Sequence, residues 1–356
     1  MSKKGHIYRL FPGGNTPSGF YSYYHHVIDL KKANHVYIIK GGPGVGKSQL
    51  MKTIGNRLVE EGYDTEFHHC SADPDSIDAV VFPQLKIAMI DGTSPHVIDP
   101  KFPGAVDEII NLGDFWNEAA MKENKAAVIK AMEDYSKIYK RVYKYLAAAK
   151  LVHDDIEWIY NEAVDYNAIK KKFAPLIGLL DIKDMDKESY QRHLFGSAYT
   201  HKGHIHYGET YLSPIKHKFH INSESIHIGS YILEYAKKYL VEKGYDMINY
   251  HHPLEPERLE TIVAPELDVS ITTLPDVGGK TVLDSKKYLD SKVFNKYNDL
   301  MKESEEYYNK LMAIVFKDLK RAKGDHDIIE TYYIPNINFS KVDKLRDSLI
   351  EKILNK

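Results

Sequence analysis

Residues 41–48 read Gly-Gly-Pro-Gly-Val-Gly-Lys-Ser, and no other stretch constrains the fold of this chain as strongly. The pattern Gly-x-x-x-x-Gly-Lys-Ser has chemical meaning only between a strand and a helix. Here an apolar run, Val36–Ile39, leads in, and a helical pattern from Gln49 to Glu61, closing at Gly62, leads out. Glycines allow the backbone to curl into a concave nest of N–H groups, and they keep side chains out of its interior. The helix that follows aims the positive end of its dipole at the same point. Gly41, Gly42, Pro43, Gly44, Val45 and Gly46 therefore form an expected phosphate cradle, with Gln49 in the first turn behind it. Lys47 is placed to reach the outer phosphates, and the Ser48 hydroxyl to ligate Mg²⁺. The expected ligand is a nucleoside triphosphate, ATP, together with Mg²⁺.

The remaining sequence sets the context for that loop. A length of 356 residues exceeds one ordinary hydrophobic core, so two domains are expected. A net charge of −2 gives no general affinity for polyanions, and no basic run or nucleic-acid module is present. No apolar stretch approaches the length of a membrane span, and Met1–His6 leads into no signal-peptide core. A single cysteine, Cys70, excludes an intrachain disulfide and a cysteine zinc cage. The expected address is the cytoplasm.

Taken in order, the chain alternates strands and helices. A Gly-rich entry, Leu10–Phe20, precedes a short amphipathic segment around Tyr21–Leu30. After the loop and its helix, Thr65–Cys70 reads as a second strand. The turn-rich Ser71–Ser76 reads as the start of a short helix, and Lys86–Asp91 as a third strand. Parallel strands joined by helices predict a doubly wound α/β sheet with ligands at the carboxyl ends of its strands. From about Asp114 glycine disappears, and Val128, Met132, Tyr135, Ile138, Val142 and Leu146 recur at helical spacing. A second stripe, Ile156, Ile159, Ala163, Tyr166 and Ile169, marks a helix over Val152–Phe173. Two such helices predict an antiparallel hairpin projecting from the sheet, over about 114–180.

The second half then repeats the first. Leu10-Phe11, Thr16 and Gly19 match Leu194-Phe195, Thr200 and Gly203, an offset of 184 (194 − 10). His69, Pro74 and Pro83 match His251, Pro256 and Pro265 at an offset of 182 (251 − 69). Lys150, His153, Glu157 and Tyr160 match Lys323, His326, Glu330 and Tyr333 at 173 (323 − 150). An internal duplication follows, with domains over 1–187 and 188–356 and a second hairpin over about 285–356. The copies diverge at the loop. Gly46 and Lys47 fall on Ile228 and Gly229, and Glu224 enters where phosphates would sit. The second half is expected to keep the fold and lose the phosphate chemistry.

The first half is similar to the P-loop NTPase superfamily through Gly41–Ser48 and the strand ending in Asp91. The whole chain resembles a bacterial family of ATP-binding proteins built from two tandem P-loop halves. Its matching residues are Gly13–Thr16, Gly41–Ser48, Asp91–His96 with Asp99-Pro100, Pro103-Gly104 and Asp107–Gly113, with the doubled His153/Glu157 and His326/Glu330. The resemblance implies ATP binding and two α/β halves.

Several side chains are candidates for the chemistry. Asp91 ends an apolar strand, where a carboxylate can hold the Mg²⁺ shell beside Ser48. Thr93 and His96 follow it and are expected to face the terminal phosphate, with Lys47 neutralising its charge. Gly92 occupies the place where many fast ATPases carry a glutamate that activates water. His68, His69 and Asp73 are candidates for an acceptor site. His153 with Glu157, and His326 with Glu330, stand one helical turn apart and are candidate metal ligands. Arg9, Arg57, Arg192 and Arg258 are the candidate arginines for a transition-state contact. The leading expectation is a Mg²⁺-dependent ATPase with one working site, the halves forming an intramolecular pseudo-dimer and the hairpins available to a protein partner. The alternatives are a nucleotide or small-molecule kinase and a non-enzymatic, ATP-gated docking platform.

Overall fold

The computed structural model describes residues 4–94, 96–178 and 182–355. Met1–Lys3, Pro95 of the Asp91–His96 motif, and residue 180, the expected end of the first hairpin, lie outside them. The first sheet contains β1 (Ile7–Leu10), β4 (His35–Lys40), β5 (Thr65–His69), β6 (Ile77–Phe82), β7 (Ile87–Asp91) and β8 (Asp107–Asn111). A separate hairpin, β2 (Gly13–Thr16) with β3 (Gly19–Ser22), follows β1. Helix α1 (Lys47–Glu60) follows the loop, and α2 (Glu118–Glu123), α3 (Lys125–Ala163) and α4 (Tyr166–Gly178) close the first half.

The second half repeats this plan. Strand β9 (Gln191–Phe195) leads into the hairpin β10 (Ser197–Thr200) and β11 (Gly203–His206), then α5 (Gly208–Leu212). Strand β12 (His217–Asn222), helix α6 (Ile226–Glu242), and strands β13 (Met247–His252), β14 (Glu255–Ala264), β15 (Val269–Thr272) and β16 (Lys280–Asp284) follow. Helices α7 (Ser291–Tyr333) and α8 (Phe339–Leu354) complete it.

Both sheets are mixed rather than wholly parallel. Their strand orders, β1-β5-β6-β7-β4-β8 and β9-β13-β14-β15-β12-β16, correspond strand for strand. Strand β6 is antiparallel to β5 and β7, as β14 is to β13 and β15, while the other neighbours are parallel. The expected helix after Ser76 is therefore a strand. Asp73 accepts the Asp75 backbone N–H and the Ser76 hydroxyl, which closes a tight turn instead of opening a helix. The run that follows, Ile-Asp-Ala-Val-Val-Phe, is buried at every position, as an interior strand requires.

The helical hairpins also differ from expectation. Helix α3 runs unbroken for 39 residues and α7 for 43; neither Ala149–Val152 nor its counterpart carries a proline, and α7 stays helical through Gly324 and Asp325. The antiparallel partners are α3 and α7 themselves, so the pair forms between the halves and not within each. Ile138, Val142, Leu146 and Ala149 of α3 interdigitate with Met312, Val315, Leu319 and Ala322 of α7. Backbone bonds tie the ends of the pair together. Asn117 N–H donates to Asn336 O at 2.7 Å, and Asp290 N–H donates to Ala163 O at 2.7 Å.

Each long helix consequently delivers its terminal helix to the opposite half. Ile337, Val342, Leu349 and Ile353, from the end of the chain, pack with Leu50, Ile54 and Leu58 of α1 and Tyr37 and Ile39 of the first sheet. Ile169, Phe173 and Ile177 of α4 pack with Ile228, Ile232 and Leu240 of α6 over the second sheet. At about 1.5–3 kcal/mol for each fully buried aliphatic side chain, neither sheet can shed its visiting helix cheaply. Among the described residues, no helix is long and apolar enough to cross a membrane.

Candidate functional site

Strand β4 is central in its sheet, with β7 on one side and β8 on the other. The chain leaves it at Lys40 and enters α1 at Lys47 through the glycine loop. Gly44 and Gly46 have φ of 69° and 92°, values that only glycine adopts without strain. The Lys47 ammonium turns inward and donates to Gly41 O at 2.9 Å and Gly42 O at 2.7 Å, with Asp91 Oδ2 at 3.6 Å. The Ser48 hydroxyl accepts the Ile77 backbone N–H at 3.0 Å, which ties the start of α1 to the start of β6. The Gln49 side chain is exposed and bonds along the helix to Thr53, away from the loop interior.

Asp91 ends β7 as expected, and its Oδ1 accepts both the N–H and the hydroxyl of Thr93. A carboxylate unremarked in the sequence stands next to it. Strands β6 and β7 pair Ala79 with Ile90, which sets Asp78 beside Asp91. Asp78, Asp91 and His96 bring ligand atoms within 4.8 Å of one another. The Tyr24 hydroxyl donates to Asp78 Oδ2 at 2.7 Å, its ring stacks on His96 at 4.6 Å, and His96 Nε2 lies 3.8 Å from Asp78 Oδ1. Burial, and then the Asp91 charge, push the Asp78 carboxyl above the usual carboxylate range. The two buried carboxylates at the mouth of the loop are oxygen donors of the kind a hard divalent cation takes, with the His96 imidazole beside them. The signal for Asp78 was present as a lone acid in an otherwise apolar six-residue run bounded by Pro74 and Pro83.

The position after Asp91 has no room for a side chain. A Cβ on Gly92 would lie 2.6 Å from Ile38 Cγ2 and 2.9 Å from Ile98 O. Lys40 fixes this neighbourhood, donating to Gly92 O at 2.9 Å, Ile98 O at 2.7 Å and Asp99 Oδ1 at 3.0 Å.

Residues of the second half roof the loop. A Cβ on Gly42 would meet the Tyr333 ring at 2.4 Å, one on Gly44 would meet Ile334 Cγ1 at 2.9 Å, and one on Gly46 would lie 3.5 Å from the Phe339 ring. Glycine at Gly42 and Gly44 thus also permits the close approach of the visiting helix. Beside this contact, a cavity of about 560 Å³ is lined by Trp116, Asn117, Asn336, Asn338 and Phe339, among others.

The corresponding loop of the second half is occupied by the protein itself. Glu157 of α3, 1% exposed, accepts the Ile226 N–H at 2.6 Å, the His227 N–H at 3.3 Å and the Ser225 hydroxyl at 2.5 Å. At the offset of 182 these amides correspond to those of Gly44 and Val45. Glu224, expected at the phosphate position, instead bonds the Tyr160 hydroxyl at 3.0 Å and Lys286 at 2.7 Å, and its side chain is 56% exposed. The carboxylate in the anion seat comes from the other half. Ser230 reproduces the Ser48 contact, accepting the Leu259 N–H at 3.0 Å.

Other expected site residues are placed elsewhere. His68 is fully buried against Glu66, and His69 bonds Pro74 O at 2.7 Å, so neither faces an open acceptor site. Arg192 is buried on Glu66, Arg9 bonds His69, Arg57 pairs with Glu61, and Arg258 lies near Glu255. Glu157 is held by the loop of the second half and is not grouped with His153, whereas His326 and Glu330, with Asp327 beside them, bring ligand atoms within 4.8 Å of one another.

A glycine nest at a helix start, backed by a lysine, a hydroxyl and strand-end carboxylates, is an arrangement that α/β proteins use to bind nucleotides. Residues 21–148 match the family described as Novel STAND NTPase 3, which supports an NTPase family for the segment holding this loop. No curated protein and no solved structure matches the chain.

Proposed function

We propose that this protein is a Mg²⁺-dependent ATPase with one working site, in the amino-terminal half, and a second half that has become a fixed scaffold. The observation that carries the reading is the contrast between equivalent loops. In one, Lys47, Ser48, Asp91 and Asp78 converge behind the cradle. In the other, Gly229 replaces the lysine and Glu157 fills the anion seat.

The residues around the first loop suit a triphosphate and a divalent cation. The cation would neutralise phosphate charge, and the Ser48 hydroxyl with the Asp91 and Asp78 carboxylates would hold it. Backbone N–H groups of Gly44, Val45, Gly46 and Lys47 donate to the phosphate chain, while the Lys47 ammonium swings from the Gly41 and Gly42 carbonyls onto the terminal oxygens. Because α7 and α8 roof the loop, nucleotide binding is coupled to the seating of the second half on the first.

Of the residues expected at a kinase acceptor site, His68 and His69 are buried, while Asp73 is partly exposed beside Lys323. Calorimetric titration of the full chain with ATP and MgCl₂ tests the proposal. One molecule is expected per chain, with thermal stabilisation that Lys47→Ala abolishes and a change at Gly229 leaves intact. No uptake, or uptake that survives Lys47→Ala, overturns it.

A further inference from the structure

The ATPase reading leaves one part unassigned, the group that activates water. The residue after Asp91 cannot supply it, because Gly92 is walled in by Ile38 and the Ile98 carbonyl. The swap of helices brings a carboxylate to the loop from the other side. A Cβ on Gly44 would lie 3.3 Å from Glu330 Cβ and 3.4 Å from its Cγ, so the last turn of α7 stands directly over the phosphate cradle. The Glu330 side chain is 30% exposed, and its Oε1 lies 3.7 Å from His326 Nδ1, one turn back on the same helix.

The second half shows how far a carboxylate at this position reaches. Glu157 is the counterpart of Glu330 at the offset of 173, and it bonds the amides of Ile226 and His227 at 2.6 and 3.3 Å. Those amides correspond to Gly44 and Val45, the donors that a phosphate would take in the first half. A side chain long enough to occupy the phosphate seat in one half is long enough to touch a phosphate's surroundings in the other. A triphosphate in the first cradle repels the Glu330 carboxylate from the amides, yet packing against Gly44 keeps its stem in place. The Glu330 side chain is left bordering the cradle, within reach of a water beside a bound phosphate.

We propose that Glu330, carried from the second half by α7, is the general base for ATP hydrolysis at the first half's loop. The inference rests on the ATPase reading above. As the water oxygen bonds to the γ-phosphorus, its proton passes to the Glu330 carboxylate. The bond from that phosphorus to the bridging oxygen breaks, its electron pair leaving on the β-phosphate of ADP. The proton then goes from Glu330 to the departing inorganic phosphate, which restores the carboxylate. The arrangement also makes hydrolysis conditional on docking of the two halves, since the loop and its base belong to different ones.

Glu330→Gln tests this, because it preserves shape and removes the base. ATP hydrolysis is expected to fall by about 10²–10⁴-fold, the usual contribution of a positioned general base. ATP affinity, by calorimetry, is expected to hold or to tighten as a like charge is removed. After incubation with Mg²⁺ and ATP, the variant should retain intact ATP on denaturation and chromatography, where the wild type yields ADP. Glu330→Asp should recover part of the rate. Hydrolysis in Glu330→Gln within a few-fold of wild type overturns the assignment. So does a parallel loss of binding and hydrolysis, which would make Glu330 a support of the loop. A wild-type chain that binds ATP without turnover overturns this inference and leaves the binding site standing, whereas one that binds no ATP removes both proposals.

Discussion

Phe11 and Phe195 exchange backbone hydrogen bonds, the N–H of each donating to the carbonyl of the other at 3.0 Å. They are equivalent residues of the two halves, fully buried, so the pair lies on the local two-fold relation between them. Around it the contacts recur in duplicate. The Tyr23 hydroxyl donates to Pro256 O and the Tyr207 hydroxyl to Pro74 O, while Lys150 approaches Glu255 as Lys323 approaches Asp73. The halves are thus joined as a homodimer would be, with the long helices exchanged.

That exchange predicts where the first half draws its stability. Ile353, three residues from the end of the chain and 0% exposed, belongs to the core of α1 and the first sheet. Ile353→Ala is expected to cost about 2–5 kcal/mol, the range for emptying such a position. Urea denaturation measures it, and a cost below 1 kcal/mol would mean that α8 is only loosely seated.

The proposed cation site yields a second prediction. Asp78 and Asp91 face each other inside the fold, and burial and then the Asp91 charge raise the Asp78 pKa. Asp78→Asn keeps an acceptor for the Tyr24 hydroxyl and removes the repulsion. The nucleotide-free protein should therefore melt at a higher temperature. The Mg²⁺ concentration needed for half-maximal ATP binding should rise by about tenfold, as loss of one charged oxygen ligand implies. An unchanged Mg²⁺ midpoint would exclude Asp78 from the metal shell.

The loop, its strand and its helix were legible in the sequence because backbone geometry there admits few residues, as the positive φ at Gly44 and Gly46 demonstrates. The repeat was legible for a related reason. Matched offsets carry matched hydrogen bonds, such as those received by Ser48 and Ser230. Strand β6 was not, since Asp73 and Ser76 resemble a helix cap and only the hairpin context makes them a turn. With β6 misread, Asp78 could not be placed beside Asp91. The helix exchange was hidden more deeply. Apolar spacing on α3 says that a face is covered, but nothing in Val142 or Leu146 says whether its partner lies 20 residues away or on α7. Glu157 in the degenerate loop depends on that exchange and was illegible with it.

A third prediction concerns the joint between the sheets. Arg192 on β9 donates to both oxygens of Glu66 on β5, at 2.8 and 2.7 Å, and to the backbone carbonyls of His26 and Val27. Burial opposes ionisation of Glu66, yet the Arg192 guanidinium overrides it and holds the carboxyl well below the usual carboxylate range. A depressed pKa contributes stability above the unfolded value that is lost as pH falls through the folded one. Arg192→Met strands the carboxylate in the interior and is expected to cost about 3–5 kcal/mol at neutral pH. Adding Glu66→Gln should recover part of that loss. Equal stability of the single and double variants would show that the pair is not coupled.

The fourth prediction follows from the carboxylate that the second half kept. Glu260 corresponds to Asp78 at the offset of 182, but Thr273 stands in place of Asp91, and Glu260 joins no cation-binding cluster among the described residues. Both its oxygens meet the Ser197 hydroxyl, at 3.0 and 2.9 Å. Burial pushes its pKa up to about 8, with the Ser197 bond opposing only in part. An unfolded glutamate titrates near ~4.3, so between that value and about 8 the folded chain holds a proton that the unfolded chain has released. Stability from this group must therefore fall as pH rises across that window, by at most about 1.4 kcal/mol per pH unit. Glu260→Gln mimics the protonated form and should remove the decline, leaving the variant close to wild type at pH 5 and more stable at pH 8. Urea midpoints of both proteins across this range decide the matter. A wild-type-to-variant difference that stays constant with pH would show that Glu260 is ionised in the folded protein, its burial notwithstanding.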